Sequence, residues 1–394
     1  MDYRPLLSRQ TQAFSSPALR QITIEVQKVH GVNLGQGVCQ LPTPDYLVEA
    51  AYTASSSGAN KYTHPRGILT LREALAAKLE RDNRMGGLDP ETEIMVTCGA
   101  TGAFEAVCAA LLNPGDEVVV FEPYYPYHIQ ALRRYGAHVT FIPLAGPDWS
   151  FDREELADAL GRAPKFVLVN TPGNPTGKVF TEMELDEIAS LMREKSLLVS
   201  DEIYEYMVFD GARHASPASM PSLKGRAITI GGYSKTFSIT GWRIGYLVAP
   251  PAIAEALTAV LDAIYVCAPA PLQEAVAAGL NHFDTGFYRA LNQKYQGKRD
   301  RFAAGLTAIG LEPSVPAGAY YMLCRYESFA PHMSSMDFVR MMISTSGVGA
   351  VPSDDFVRSP ADAKWVRFCL ALEDTILDDA LARLGSLAPA MTAR

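Results

Sequence analysis

Residues 165–201 read KFVLVNTPGNPTGKVFTEMELDEIASLMREKSLLVSD, and this stretch decides the fold. Lys165-Phe-Val-Leu-Val-Asn170 is a short apolar run without polar alternation, the pattern of a strand covered on both faces. A loop dense in Pro and Gly follows, then helical spacing over 182–195, then a second unalternating run, Leu197-Leu-Val-Ser-Asp201. Strand, helix and strand in that order form a parallel crossover unit. The alternation continues outward in both directions. Strands are expected over 93–97, 117–121, 138–142, 227–230 and 244–248, with helices over 103–112, 129–135 and 151–160. The fold class expected is α/β, a mostly parallel central sheet with helices on both faces. Ligands of such sheets sit outside the carboxyl ends of the strands.

The remainder of the chain has a different rhythm. One helix is expected across 252–280, bent near Pro269 and Pro271. From about Thr285 the pattern becomes a long helix, short strands over 320–324 and 365–370, and a final helix. At 394 residues the chain exceeds one simple core. A large domain is expected over 46–284 and a smaller α+β domain from 1–45 and 285–394 together. The formal charge of −8 argues against nucleic acid or an anionic membrane as partner. Six scattered cysteines without a CxxC pair fit reduced thiols in the cytoplasm. The N-terminus does not read as a signal peptide, and no apolar run reaches the roughly 18 residues of a membrane span.

Polar and glycine-rich residues gather at the expected strand ends. Cys98-Gly-Ala-Thr-Gly-Ala lies between a strand and a helix, where free N–H groups suit an anion. Gly99, Ala100 and Thr101 would supply the amides; a tight turn capped by Thr101 is the plainer alternative. Glu122-Pro-Tyr-Tyr-Pro-Tyr either offers a ring to a flat heteroaromatic ligand or is a packed surface loop. In Asn170-Thr-Pro-Gly-Asn-Pro-Thr-Gly the density of Pro and Gly imposes one loop shape and aims Asn174. Asp201, ending a buried strand, needs a partner, which a protonated ring nitrogen or a helix terminus would each provide.

Three cations complete the set. Gly232-Tyr-Ser-Lys-Thr-Phe-Ser-Ile-Thr-Gly-Trp-Arg-Ile-Gly-Tyr places Lys235 among small and aromatic residues. A lysine near cations or out of water gives up its proton readily and can form a Schiff base. Arg243 can fork onto a phosphate. In Trp365-Val-Arg-Phe-Cys-Leu, Arg367 interrupts an apolar strand, and a buried guanidinium needs a planar anion, from a ligand or from a structural Asp or Glu.

Ser-Lys-x-Phe before Gly-Trp-Arg-Ile-Gly-Tyr, after Asn-Pro-Thr-Gly and Asp-Glu-Ile-Tyr in that order and spacing, is a specific combination. It resembles the fold-type I aminotransferases of class I/II, which depend on pyridoxal 5′-phosphate (PLP), from about Asn33 to Leu372. The resemblance implies that Lys235 is the Schiff-base lysine and proton shuttle, and that Asp201 pairs with the pyridinium nitrogen. It implies that Asn174 and Tyr204 bond the ring's 3′-oxygen and that Tyr125, rather than Tyr124, stacks on the ring. The phosphate would rest on Ala100, Thr101, Ser234 and Arg243, and Arg367 with the Gly37 amide would hold a substrate α-carboxylate. Tyr62 would reach the phosphate of a neighbouring subunit, making a homodimer with shared sites. The reaction implied is ping-pong transfer of an amino group between an L-amino acid and a 2-oxo acid.

The sequence departs from the family in places. Gly232 stands where many members carry a phosphate-binding Ser, and Thr101 where one acidic-substrate subgroup carries Lys. Gly-Ala-Thr and Asn-Leu-Gly-Gln-Gly are more similar to members acting on glutamine, kynurenine or aromatic amino acids. Side-chain recognition is expected from residues 14–40, 62–68 and 318–321. Two rival readings remain beside transamination: C–S β-elimination on the same scaffold, and a PLP-sensing regulatory domain.

Overall fold

The computed structural model describes residues 3–8, 18–360 and 363–387; residues 1–2 of the expected smaller domain, and 9–17, which include the start of the 14–40 segment, lie outside them. The first strand, β1 (Val32–Asn33), belongs with the C-terminal elements. The next eight are β2 (Ile94–Cys98), β3 (Glu117–Glu122), β4 (His138–Ala145), β5 (Ser150–Phe151), β6 (Phe166–Asn170), β7 (Leu197–Asp201), β8 (Ala227–Gly232) and β9 (Ile244–Val248). They form one sheet in the order β2-β9-β8-β7-β6-β3-β4-β5. Only β9 and β5 run against the rest. The α/β class with a mostly parallel central sheet is therefore what the chain adopts.

The unalternating runs have a direct cause. Successive strand residues point to opposite faces, and both faces of this sheet are covered. Val118, Val120 and Leu168 pack under helices Gly99–Leu111, Pro126–Arg134 and Pro251–Tyr265 through Phe104, Leu132 and Leu257. Val119, Val167 and Leu198 pack on the other side against Leu156, Leu160, Leu185 and Ile188. Each such side chain, fully buried, stabilises the fold by roughly 1.5–3 kcal/mol. The helix after the Asn174 loop starts sharply, because Thr181 and Glu184 form a capping box.

Helices Pro126–Arg134 and Arg153–Gly161 lie within a few residues of the expected 129–135 and 151–160, and three larger departures have a local cause. Gly99, at φ +72, turns β2 directly into its helix, which starts at Gly99 instead of 103. Helix Glu182–Leu191 stops before 195, because Met192 leaves it extended and buries its side chain. The single bent helix over 252–280 is two helices, Pro251–Tyr265 and Ala270–His282. Val266 at φ 66 breaks them, and Pro271 falls in a first turn where its missing N–H costs nothing.

Beyond the long helix Thr285–Ala308 lie β10 (Glu312–Ser314), β11 (Tyr321–Arg325), β12 (Val348–Gly349), β13 (Val351–Pro352) and β14 (Trp365–Cys369). β10, β11, β14 and β13 form an antiparallel sheet, and β12 pairs with β1. Helix Ala18–Lys28 packs beside β12 and β13. Leu34 is hydrogen-bonded to Gly349 and Cys369, which lays residues 34–37 against the edge of the larger sheet's carboxyl end.

Candidate functional site

Six loops meet at that carboxyl end. Because β9 runs backwards, the residue preceding it, Arg243, sits at the same edge as the residue following β2. Arg243 lies in the left-handed region, and its Nη2 donates to Cys98 O at 3.4 Å. A Cβ on Gly99 would stand 2.5 Å from Arg243 Nη2, so only glycine lets the guanidinium close over the helix N-terminus. Free amides and a guanidinium then face one space, a donor set for an anion. Ala100, Thr101 and Ser234 line the same space. Gly232 also has a structural reason: a Cβ there would lie 3.0 Å from Gly245 Cα, so a side chain would press β9 away from β8 by a few tenths of an ångström.

Lys235 follows β8, and its Nζ donates to Gly37 O at 2.9 Å. Burial lowers its pKa, which the nearby Arg243 and Arg367 reinforce against the neighbouring thiols Cys369 and Cys39. Asp201, at the end of β7, points into the same cavity. Its Oδ2 accepts from His128 Nε2 at 3.0 Å and its Oδ1 from the Ile203 amide at 3.2 Å. A carboxylate facing this ring accepts only, so the Nε2 carries the proton.

Arg367 arrives from β14. One Nη donates to Asn174 Oδ1 and the other to Gly35 O, both at 2.8 Å. A guanidinium has no acceptor, so Asn174 must turn its oxygen toward Arg367 and its NH2 away. Arg367 Nε is buried without a partner, and the group lies 4.2 Å from the Tyr321 ring and 4.9 Å from the Phe356 ring. Arg367 thus holds an unused N–H in a dry setting, where a planar carboxylate would satisfy it. The Tyr204 hydroxyl donates to that of Tyr321 at 3.2 Å, and burial raises the pKa of both. A Cβ on Gly37 would strike the Tyr321 hydroxyl at 2.2 Å.

All these groups surround one cavity of about 380 Å³. Lys235, Asp201, Asn174, Tyr204, Tyr125, Gly37 and Arg367 line it, with the cradle residues. Tyr125 stands edge-on to His128, 5.1 Å between centroids, while Tyr124 packs into the core on Phe141. Tyr62 lies outside the cavity, 83% exposed. Sequence reading missed His128 and Phe356, and reached Tyr321 only as part of the 318–321 segment. His128 left one signal: a histidine on the buried face of a helix that starts at a strand end. Among the described residues no cluster of His, Cys, Asp or Glu is arranged to hold a metal, and no helix is long and apolar enough to cross a membrane.

A desolvated lysine between an anion cradle, a shielded carboxylate and a half-satisfied arginine defines an enzyme that handles small carboxylates on an α/β sheet. Residues 29–384 match the model of the family described as aminotransferase class I and II, and the chain belongs to that family. It is 34% identical to kynurenine–oxoglutarate transaminase 3 of Rattus norvegicus over 89% of this chain and 83% of that one. The solved N-succinyldiaminopimelate aminotransferase of Mycobacterium tuberculosis superposes with TM-score 0.92 at 32% identity, covering 97% of this chain and 100% of the other. An Escherichia coli structure described as having a methionine aminotransferase function gives TM-score 0.92 at 31% identity over 96% and 98%. The chain is an aminotransferase.

Proposed function

We propose that the cavity holds pyridoxal 5′-phosphate and that Lys235 is the residue bonded to it between turnovers. The observation that carries this is the desolvated Lys235 amine sharing one cavity with a carboxylate, Asp201, braced by His128. The fit is favourable: Gly99 leaves room for the Arg243 guanidinium, and Ala100, Thr101 and Ser234 complete a phosphate-sized set of donors. Tyr125 offers its ring, Asn174 an oriented NH2 and Tyr204 a hydroxyl to the cofactor's ring oxygen. When bound, the cofactor supplies an aldehyde that accepts the amino group and a ring that withdraws electrons.

The chain's own residues do the rest. Arg367, with the Gly37 segment, fixes the α-carboxylate of an L-amino acid, and afterwards that of a 2-oxo acid. Lys235, neutral more readily than an exposed lysine, takes the proton from the substrate Cα and returns it. Asp201 would pair with a protonated ring nitrogen. The course is ping-pong, and the relatives' names favour transamination over β-elimination.

Two coarser features follow the same reading. The chain divides into a large domain over 46–284 and a smaller one from 1–45 and 285–394, with Arg367 on the smaller. It works as a cytoplasmic homodimer, the free cysteines being suited to a reducing compartment. Tyr62 reaches the partner's phosphate; its neighbour Thr63 donates to Cys267 Sγ, and Tyr265 nearby accepts from the Cys98 amide beside the cradle.

The test is direct. Lys235→Ala should abolish transfer of an amino group to α-ketoglutarate and the visible absorbance that PLP gains on binding the native chain. Retention of both would refute the assignment. Arg367→Ala should leave that absorbance and raise KM for amino acids, by about 2–5 kcal/mol in binding.

A further inference from the structure

The relatives differ in what their side-chain pocket must accept. An N-succinyldiaminopimelate side chain is anionic, whereas methionine is apolar, and the family as a whole decides nothing between them. The wall beside Arg367 does. Leu19 and Val351 both stand where a Cβ on Gly35 would meet them at 3.2 Å, and Gly35 O is the acceptor of Arg367 Nη2. Val351 and Phe356 belong to one buried apolar cluster with Leu19 packed against it, and all three line the cavity. Val38 extends this wall outward.

Charge points the same way. The cations lining the cavity among the described residues are Lys235, Arg243 and Arg367. Each has a role in the proposed function, which this inference rests on, so none is left for a second carboxylate. The other charged groups on the wall, Glu105, Asp201 and Asp355, are acidic. A second carboxylate would lose its water there and find no unassigned cation among the described residues of this chain.

We infer that Leu19, Val38, Val351 and Phe356 form a side-chain subsite for uncharged, apolar or aromatic amino acids, and that dicarboxylic donors are disfavoured. A substrate carboxylate on Arg367 puts its side chain within reach of Phe356, whose ring lies 4.9 Å from that guanidinium.

Two acids with one shared carboxylate test this on the whole chain. Titration calorimetry with 3-phenylpropionate and with succinate should show the phenyl acid binding on the order of 10-fold tighter or more. Phe356→Ala should erase most of that preference, and so should Leu19→Ala, a half-buried position that the fold tolerates if the first variant does not fold. In turnover, L-phenylalanine and L-methionine should exceed L-aspartate in kcat/KM by a similar factor. Succinate binding as tightly as 3-phenylpropionate, or aspartate as the better donor while transfer proceeds, would overturn the subsite alone. If neither acid binds, Arg367 is not the anchor, and the proposed function falls with the inference.

Discussion

A lysine that is to attack an aldehyde, the role proposed for Lys235, must first shed a proton, and burial favours its neutral form. The sign is testable in the cofactor-free protein. Folding lowers the amine's pKa below the ordinary 10.5, so between the two values the unfolded chain binds the extra proton. Stability must therefore rise with pH across that interval. The urea midpoint should climb more steeply toward high pH in the native chain than in Lys235→Met, which keeps the stem and loses the amine. Superimposable curves would show that the amine is not held in its neutral form. Asp201 supplies a second case. His128→Phe keeps the ring but removes a hydrogen bond to a charged group, worth about 1.5–3 kcal/mol. PLP titration should show affinity falling, with the urea midpoint lowered less than the cofactor affinity.

Between elements, the cradle depends on a glycine that carries no chemistry. Gly245, the second residue of β9, pairs with Thr97 on one side and Gly232 on the other. The turn at Gly99 and Ala100 rests on it: a Cβ at 245 would lie 2.6 Å from Gly99 C and 2.8 Å from Ala100 N. Gly245→Ala should destabilise the fold by about 1–3 kcal/mol and weaken PLP binding, because the atoms that must move are backbone. Gly241→Ala, where a Cβ meets nothing within 4 Å, should do neither. If Gly245→Ala binds PLP normally, the cradle is not seated on β9. This contact also marks where sequence reading stops. Strand runs are local in residue type and spacing and were legible, as was the gathering of Lys235, Asp201 and Arg367 around one cavity. Their partners were not: Gly37 for Lys235 is 198 residues away, and Asn174 for Arg367 is 193. Likewise Pro269 and Pro271 signalled a bend, but the break itself falls at Val266, a β-branched residue that local propensity would not put at positive φ.

At the scale of the whole molecule, the open question of assembly turns on one face. Tyr62 and Ile264 are 83% and 53% exposed, and the turn holding Val266 lies between them and the cradle. Under the proposed reading, in which Tyr62 reaches a partner's phosphate, these side chains belong to the surface that a second copy would cover. If a second copy covers it, sedimentation velocity at micromolar concentration should give twice the chain mass. Ile264→Asp then separates two situations. On a free surface the change costs within about 0.5 kcal/mol and alters neither mass nor melting. In a buried twofold contact each copy would desolvate a carboxylate facing its symmetry mate, and the dimer should dissociate. Activity should fall with dissociation and recover as protein concentration is raised, since Tyr62 then returns to the partner's phosphate. A native chain that sediments as a fully active monomer would remove Tyr62 from the site and leave each cavity to work alone.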